Sequence, residues 1–271
     1  SGTQPQVANL QGWWKLDSSA TFSTNWSIPD DGSASNTGTS SGMTQANLVP
    51  STVTRGTAMY SEYSFDFDGT DDEFDCGTIT ALNGGITAFS TSSWFNYSGT
   101  LGTNHMILSG GSGSTDDFYI QLFGATTLRY ASGTTLDDIP ITSVAADTWY
   151  NVVTVHNVGS VDIYINGNLE GTGTIDAPTS NIGVDITLGN YVAFGSGYFW
   201  NGKLSNIAIW DSALTAGNAL TIYNNGRPAD LASFSPSPIN WWKLGEEAFS
   251  TSPAADPNGW TVPDQIGSND A

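Results

Sequence analysis

Six carboxylates lie within ten residues of one another: Asp66, Asp68, Asp71, Asp72, Glu73 and Asp75. Alternation along a strand would place Asp66 and Asp68 on one face, and the Gly69-Thr70 turn would fold Asp71 back toward Asp68. Because Ca²⁺ binds oxygen ligands from carboxylates and carbonyls, we predict a structural or lectin-type Ca²⁺ site at Asp68, Asp71 and Asp72. The alternative is a solvated acidic edge that discourages aggregation between strands.

A second group of residues could bind sugars. Glycan binding needs aromatic rings that stack on sugar faces, with amide or carboxylate groups beside them. A Gly-rich stretch is dense in aromatic residues, and a first long loop adds Trp26; the predicted ligand-binding residues are Trp26, Tyr191, Phe194, Tyr198, Phe199 and Trp200. The alternative is that half of these rings cap one end of the fold.

Catalytic chemistry has weaker support. Glu73 and Asp75 have the alternate spacing of the carboxylates of retaining glucanases, which lie ~5 Å apart across a cleft, but Gly77 follows where a third acid would continue the strand. His105 and His156 fall in separate predicted strands, and His156 alternates with valines, which predicts that it faces away from the core. We predict that the protein is not an enzyme, with a glycoside hydrolase as the weakest alternative.

Charge and composition exclude several partners. The 271 residues include 26 acidic and 6 basic side chains, a net charge of -20. Nucleic-acid binding needs a basic patch, so we expect no nucleic-acid partner, and anionic membranes are disfavoured for the same reason. No apolar run approaches the ~20 residues of a membrane span, so we expect no membrane insertion. The acidity fits either solubility in salty water or Ca²⁺ capture.

The stretch from Trp149 to Gly171 predicts the fold. Apolar residues alternate with polar ones on either side of a turn at 157–160, and Asn166-Gly167 is typical of a type I′ hairpin turn. Two such hairpins need a second sheet over their apolar face. We predict an all-β fold, a two-sheet antiparallel β-sandwich (jelly roll), with one short C-terminal helix over Leu214–Tyr223 that Thr215 caps and Gly226 ends.

An internal repeat indicates the domain organisation. Residues 13–16 (WWKL) return at 241–244, residues 22–24 (FST) at 249–251, and residues 26–30 (WSIPD) at 260–264 as WTVPD. Such repeats predict a tandem array: a leader or linker at 1–9, a jelly-roll domain at 10–230, a Pro/Ser linker at 231–238 and a truncated second repeat at 239–271. Alternatively, the strand at Trp241-Trp242 completes the sandwich of its own or a neighbouring copy.

Four blocks carry a family resemblance: residues 63–72 (YSFDFDGTDD), 147–153 (DTWYNVV), 163–167 (IYING) and 201–210 (NGKLSNIAIW). With the closing block 220–226 (LTIYNNG), they resemble the laminin-G-like, concanavalin-A-like lectin/glucanase superfamily. The repeated WWKL opening is similar to tandem laminin-G-like repeats in marine phage virion proteins. The resemblance implies a jelly roll, frequent Ca²⁺ binding, and glycan or protein recognition. This chain has Ser205 where the family commonly has an Asp that helps to hold the cation.

These observations together predict a non-enzymatic, surface-displayed structural or adhesive module of a virion or extracellular assembly. Its expected partners are a glycan or surface receptor, further copies of itself, and other virion or filament proteins. The alternative is a purely structural decoration or filament repeat, held by contacts between copies. The expected location is extracellular or on the virion surface.

Overall fold

The structure is a computed structural model, and it describes residues 21–23, 26–28, 30–32, 38–44, 46, 48–50, 63–99, 105–111, 117–179, 181–191, 197–245, 259–260 and 265–269. Within these ranges the chain forms strands, one α-helix and two short 3₁₀ turns. The strands of the first half are β1 Thr21–Phe22, β2 Trp26–Ile28, β3 Asp30–Gly32, β4 Gly38–Ser41, β5 Leu48–Pro50, β6 Tyr63–Asp68, β7 Glu73–Asp75, β8 Ala88–Tyr97, β9 His105–Gly110, β10 Phe118–Leu122 and β11 Thr127–Ser132.

The second half of the chain contains the remaining strands and the helix. They are β12 Thr135–Pro140, β13 Tyr150–Asn157, β14 Ser160–Ile165, β15 Asn168–Thr174, β16 Thr187–Leu188, β17 Asn201–Trp210, α1 Ala216–Tyr223, β18 Asn240–Trp242, β19 Gly259–Trp260 and β20 Gly267–Asn269. The predicted β-sandwich with one short helix is confirmed.

The two predicted hairpins are present where the sequence placed them. β13, β14 and β15 follow one another as antiparallel neighbours. Asn166 and Gly167 both have positive φ, 50° and 77°, which is the geometry that a type I′ turn requires. The turn residues therefore set the register that sends alternate side chains to opposite faces.

Two antiparallel sheets face each other. One has eight strands, in the order β15-β14-β13-β8-β17-β6-β5, with β18 also paired to β17. The other has ten strands, in the order β12-β11-β10-β9-β16-β7-β4-β2-β1-β19, and a separate pair joins β20 to β3. Apolar side chains from the facing surfaces form one core, as in other sandwiches.

The predicted helix α1 is also confirmed. The Thr215 side chain accepts a hydrogen bond from the Asn218 backbone N–H, and Asn224 ends the helix in the left-handed conformation. Ala219 and Ile222 are buried, and Tyr223 stacks on Trp94 of β8 with ring centroids 6.0 Å apart. The helix therefore covers the outer face of the eight-stranded sheet.

The segment after residue 238 joins the eight-stranded sheet. β18 pairs with β17 through Ile207↔Trp242 and Ala208↔Trp241, and both tryptophans are fully buried. The sequence allowed the alternative that the Trp241-Trp242 strand completes the sandwich of its own copy or of a neighbour. In the structure this strand pairs within its own chain. The division of the sequence into a domain, a linker and a second repeat stays a prediction.

The prediction that His156 faces away from the core is wrong. Its side chain is fully buried between the sheets, where Nδ1 lies 3.1 Å from the Tyr130 hydroxyl of the opposite sheet and Nε2 lies 3.1 Å from the Val158 carbonyl oxygen. All residues of β13 from Asn151 to His156 are buried, so both faces of the strand are covered and apolar alternation could not distinguish them. Burial lowers the pKa of His156 to about 4.

This buried histidine should make the fold sensitive to acid. The unfolded chain binds the proton near pH 6.5 and the folded one only near pH 4, so stability due to neutral His156 is lost as the pH falls through that window. Urea titrations at pH 7 and pH 4 would measure the unfolding free energies of the wild type and of His156→Gln. We expect the wild type to lose on the order of 2 kcal/mol more than His156→Gln between pH 7 and pH 4. Val153→Ala is the control, since Val153 is fully buried and carries no titrating group, so this variant should lower stability equally at both pH values.

Candidate sites on the sandwich

The acidic turn between β6 and β7 brings three carboxylates together. Asp68, Asp71 and Asp72 each have a carboxylate oxygen within 4.8 Å of the others. The Asp72 Oδ2 accepts the Asp68 backbone N–H at 2.8 Å, and the Asp68 Oδ1 accepts the Thr70 N–H at 2.7 Å. The backbone of this turn therefore orients two of the three carboxylates.

The electrostatics of the turn oppose three ionised acids. Asp72 is buried, and burial, with repulsion from Asp68, Asp71 and Asp66, raises its pKa to about 7 despite the hydrogen bond from Asp68. Lys203 is the basic neighbour, with Nζ 3.7 Å from an Asp66 oxygen. A divalent cation would relieve this repulsion more fully than one lysine can, because it brings two charges to the carboxylate oxygens.

A polar cavity of about 330 Å³ lies beside this turn; its lining consists of Thr44, Ala46, Asp66, Phe67, Asp68, Ser98 and Asn201. The chain approaches the turn closely on another side, because a Cβ on Gly42 would come within 2.3 Å of the Asp71 carbonyl oxygen.

Ser205, which stands where the family commonly has a cation-binding Asp, does not lie free for a cation. Its hydroxyl is buried and donates to the Lys243 carbonyl oxygen at 3.0 Å, so this position supports the attachment of β18.

The outer face of the ten-stranded sheet carries a separate aromatic cluster. Tyr119, Tyr191, Met106 and Ala131 pack together apart from the main core, with half-buried Tyr198 against them. The ring centroids of Tyr119 and Tyr191 are 5.3 Å apart. The structure thus brings predicted residues Tyr191 and Tyr198 together, and it adds Tyr119, which the sequence analysis missed although its alternation with core residues Phe118 and Ile120 points it outward.

A cavity of about 250 Å³ opens at this cluster, between the sheet and the 133–136 turn. Its lining consists of Asp117, Tyr119, Ala131, Gly133, Thr134, Thr135, Leu136 and Tyr191. The Tyr191 hydroxyl donates to the Asp117 carboxylate. Leu136 is 52% exposed at the rim, while Thr134 donates to Asp176 through both its N–H and its hydroxyl. The cavity therefore has an aromatic wall, a carboxylate and a rigid polar turn.

Polar groups extend this surface toward β7. Asn190 donates to the Glu73 carboxylate at 2.6 Å, and the Ser109 hydroxyl donates to the Asn190 carbonyl oxygen. The Asn190 side-chain oxygen is buried and has no hydrogen-bond partner within the described ranges. Burial raises the pKa of Glu73. Glu73 is half-buried, and Asn190, Tyr191 and Asp117 are buried just below the exposed rim of the cavity. We call these four residues, together with Tyr119 and Tyr198, the outer-face surface.

The remaining predicted ligand residues have different positions. Trp200 is fully buried in the core, edge-on to Phe95 at 5.8 Å, so it has no face for a sugar, contrary to the sequence prediction. Phe199 is half-buried next to it. Phe194 lies outside the described residues, and for Trp26 the structure describes the backbone in β2 but not the side chain.

The contrast between Trp200 and Tyr198 is testable. Trp200→Ala should lower the unfolding free energy by about 3–5 kcal/mol, because it leaves a cavity in the core. Tyr198→Ala should cost about 1 kcal/mol or less, since its ring is half-buried at the surface. Urea unfolding followed by tryptophan fluorescence measures both, and equal losses would contradict the assignment of one ring to the core and one to the surface.

Comparisons with known proteins agree with this fold. Residues 68–219 match the sequence family described as the concanavalin A-like lectin/glucanases superfamily, and a search of curated proteins found no match. Among solved structures, a proposed carbohydrate-binding protein from Bacteroides ovatus is 17% identical with a TM-score of 0.52, over 76% of this chain and 60% of that one. The chain thus spans less than two thirds of that protein.

Two further structures share the fold. Domain 4 of an extracellular arabinanase from Geobacillus stearothermophilus, solved with arabinotriose, is 17% identical with a TM-score of 0.52, over 74% of this chain and 97% of that domain. A botulinum neurotoxin type C structure is 16% identical with a TM-score of 0.55, over 75% of this chain and 50% of that one. The family match covers more than half of the sequence, and the chain belongs to the concanavalin A-like lectin/glucanases superfamily.

Proposed function

We propose that this protein is a non-enzymatic glycan-binding module, displayed on a virion or in an extracellular assembly, and that the outer-face surface is its binding site. The observation that carries the proposal is the cavity lined in part by Tyr119, Tyr191 and the Asp117 carboxylate, which are 9%, 3% and 6% exposed. The more exposed Tyr198 ring packs against the two tyrosines. Sugars present apolar C–H faces and hydroxyl donors at once, so aromatic rings next to fixed acceptors are complementary to them.

The size and charge of the cavity restrict the ligand. At about 250 Å³ it is smaller than the ~300–1,000 Å³ of pockets for drug-sized molecules, which suits one sugar residue, with neighbouring residues extending over Asn190 and Glu73. The acceptors on this surface are the Asp117 and Glu73 carboxylates. Such a set favours neutral sugars with free hydroxyl groups over sulfated or sialylated ones, whose charge these carboxylates would repel.

Known relatives of the fold support the proposal by analogy alone. The arabinanase domain was solved with arabinotriose, and cell entry of the type C neurotoxin depends on interaction with two ganglioside molecules. Another structure with this fold, at 14% identity and a TM-score of 0.54, is a Trypanosoma rangeli sialidase mutant with trans-sialidase activity. In this chain, the Asn190 side chain donates to the Glu73 carboxylate, and this hydrogen bond opposes the rise of the Glu73 pKa on burial, so we place a glycoside hydrolase last.

We also propose that the acidic turn binds Ca²⁺. The fit rests on three carboxylates within 4.8 Å and on Asp72, which is buried and ionises only near pH 7 without a cation. Asp68, Asp71 and Asp72 would hold the ion, and the hydrogen bonds of Asp68 and Thr70 N–H groups already orient two of them. Part of this turn also lines the neighbouring polar cavity, which makes that cavity the second candidate glycan site.

A structural repeat remains the alternative function, because the chain carries two copies of the WWKL motif. In that case contacts between copies would be the whole role, and the outer-face surface would bind protein rather than glycan.

Among the residues that the structure describes, the single α-helix is too short to span a bilayer, and no helix meets the length and hydropathy of a membrane span.

Glycan binding can be tested on the full chain with an array of neutral and charged glycans, followed by titration of the best ligand. We expect saturable binding to neutral glycans, and we expect Tyr198→Ala and Asp117→Asn each to weaken it at least tenfold. The first removes the half-buried ring that packs against the aromatic cluster beside the cavity, and the second replaces a carboxylate oxygen of the cavity lining with an amide donor. Tyr63→Ala is the matched control, since Tyr63 is also partly exposed but lies at the end of β6 in the other sheet. It should bind like the wild type.

The outcomes separate the candidate functions. Binding that survives Tyr198→Ala and Asp117→Asn, but is lost in Asp66→Asn, would move the site to the cavity beside the acidic turn. No binding to any glycan, by a chain that melts normally, would contradict the glycan proposal and favour the structural repeat.

The Ca²⁺ proposal predicts a pH-dependent stabilisation. Millimolar Ca²⁺ should raise the Tm at pH 8 relative to EDTA, because the ion binds the folded chain. Below pH 7 the affinity should fall about tenfold per pH unit, since Asp72 must release its proton before it can bind the ion. Calorimetric titration at pH 6, 7 and 8 measures this slope.

Asp72→Asn should remove both the Ca²⁺ response and its pH slope. Asp211→Asn changes an exposed carboxylate after β17 and should leave both unchanged. Equal loss of the response in the two variants would show a general charge effect and contradict a site at the acidic turn.

A further inference from the structure

One edge of β17 is divided between two strands. β8 covers the opposite edge along most of its length, while β6 pairs with residues 201–204 and β18 with residues 207–209. Between them the strand bulges at 205–208, where Asn206 has a positive φ of 47°. β18 therefore fills a short, separate strand site, which we call the β17 slot.

The slot holds its occupant by both backbone and side chains. The Lys243 carbonyl oxygen accepts the Asn206 N–H at 2.9 Å and the Ser205 hydroxyl at 3.0 Å. Trp241, Trp242 and Leu244 are each fully buried, and the Lys243 ammonium lies over the Trp241 ring at 5.0 Å from its centroid. All four residues of the WWKL motif are thus recognised.

The sequence contains this motif twice, while the described part of the chain shows one such slot. Trp13, Trp14, Lys15 and Leu16 repeat residues 241–244 without a change; they lie outside the described residues, so the argument for them rests on sequence identity. The flanks differ, because Ile239 and Asn240, both buried in the slot, correspond to Gln11 and Gly12. A buried Gln in place of Ile is unfavourable. Residues 241–244 should therefore occupy the slot of their own chain in preference to residues 13–16.

We propose that the β17 slot accepts the WWKL motif of either copy: residues 241–244 fill it within their own chain, and residues 13–16 of another chain dock into it when they displace that segment. A strand added at a sheet edge gains backbone hydrogen bonds from the edge and specificity from its alternate side chains. Docking of this kind would join copies of the chain, since each copy carries both a motif and a slot. The proposal does not depend on glycan binding.

The test removes from the full chain the two tryptophan side chains that fill the slot. In Trp241→Ser/Trp242→Ser, the own-chain occupant loses the rings that fill the slot, and residues 13–16 become its best ligand. We expect this variant to associate, with at least a doubling of mass in sedimentation at micromolar concentration, while the wild type shows less association. The fourfold variant that adds Trp13→Ser and Trp14→Ser should not associate.

A peptide experiment keeps the proposal testable if the slot variant folds poorly. Peptides of residues 236–246 and 8–18 are added to Trp241→Ser/Trp242→Ser, with matched peptides that carry Ser for both Trp residues. Each native peptide should raise the Tm by about 5 °C at roughly a hundred times its Kd and should dissociate the associated species. The Ser peptides should do neither.

Three results would overturn the proposal. One is association of the fourfold variant to the same mass, which would show nonspecific aggregation through the exposed core. Another is a response to the 236–246 peptide but none to the 8–18 peptide, which would show that the slot rejects the N-terminal copy. The third is no response to either native peptide.

Discussion

The pairing of β17 on both edges is the constraint on which the rest of the structure depends. Its first half pairs with β6 through Asn201↔Asp68 and Lys203↔Asp66, and Asp68 is where the acidic turn begins. Its second half holds β18, and its other edge holds β8. Gly202 permits this crowding, because at φ 128° a Cβ would lie 2.2 Å from the Asn96 carbonyl oxygen. A change in β17 would therefore disturb the candidate cation site, the centre of the eight-stranded sheet and the C-terminal segment together.

Two buried ionisable groups give the fold opposite responses to pH. Burial lowers the pKa of His156 and raises that of Asp72. Acidification from pH 7 to pH 4 therefore removes stability at His156, which must take up a proton when the chain unfolds, and adds stability at Asp72, which is more easily protonated in the folded state. A bound cation would cancel the second effect by keeping Asp72 ionised. The net acid sensitivity of the fold thus depends on whether the acidic turn is occupied.

Local sequence rules predicted the elements well and the direction of side chains less well. The hairpins and α1 follow from turn and cap chemistry, which acts within a few residues: Asn166-Gly167 for the hairpin, Thr215 and Asn224 for the helix. Which face of a strand is covered depends on distant parts of the chain. β13 is buried on both faces, so alternation could not orient His156, and Trp200 and Tyr198 are two residues apart with unlike burial.

The candidate sites were likewise predictable from the sequence only where local contacts form them. The three acids of the turn were predictable because a turn brings sequence neighbours together. The outer-face surface was predictable only in part, because Asp117, Tyr119 and Tyr191 come from segments that only the sheet order makes adjacent. Repeats likewise show that two segments are alike, but they do not show which partner either segment pairs with. The pairing of β18 with β17 required the structure.

Association between copies of so acidic a chain needs an attraction that outweighs repulsion. At physiological salt the net charge of -20 is screened beyond ~8 Å, so most of the repulsion between domains is lost at a short distance. Burial of a Trp side chain removes ~150–250 Å² from water, about 4–6 kcal/mol at ~25 cal/mol per Å², and the motif carries two. This apolar term does not weaken with salt, so docking at the β17 slot should be strongest in the salty conditions in which an acidic surface is best tolerated.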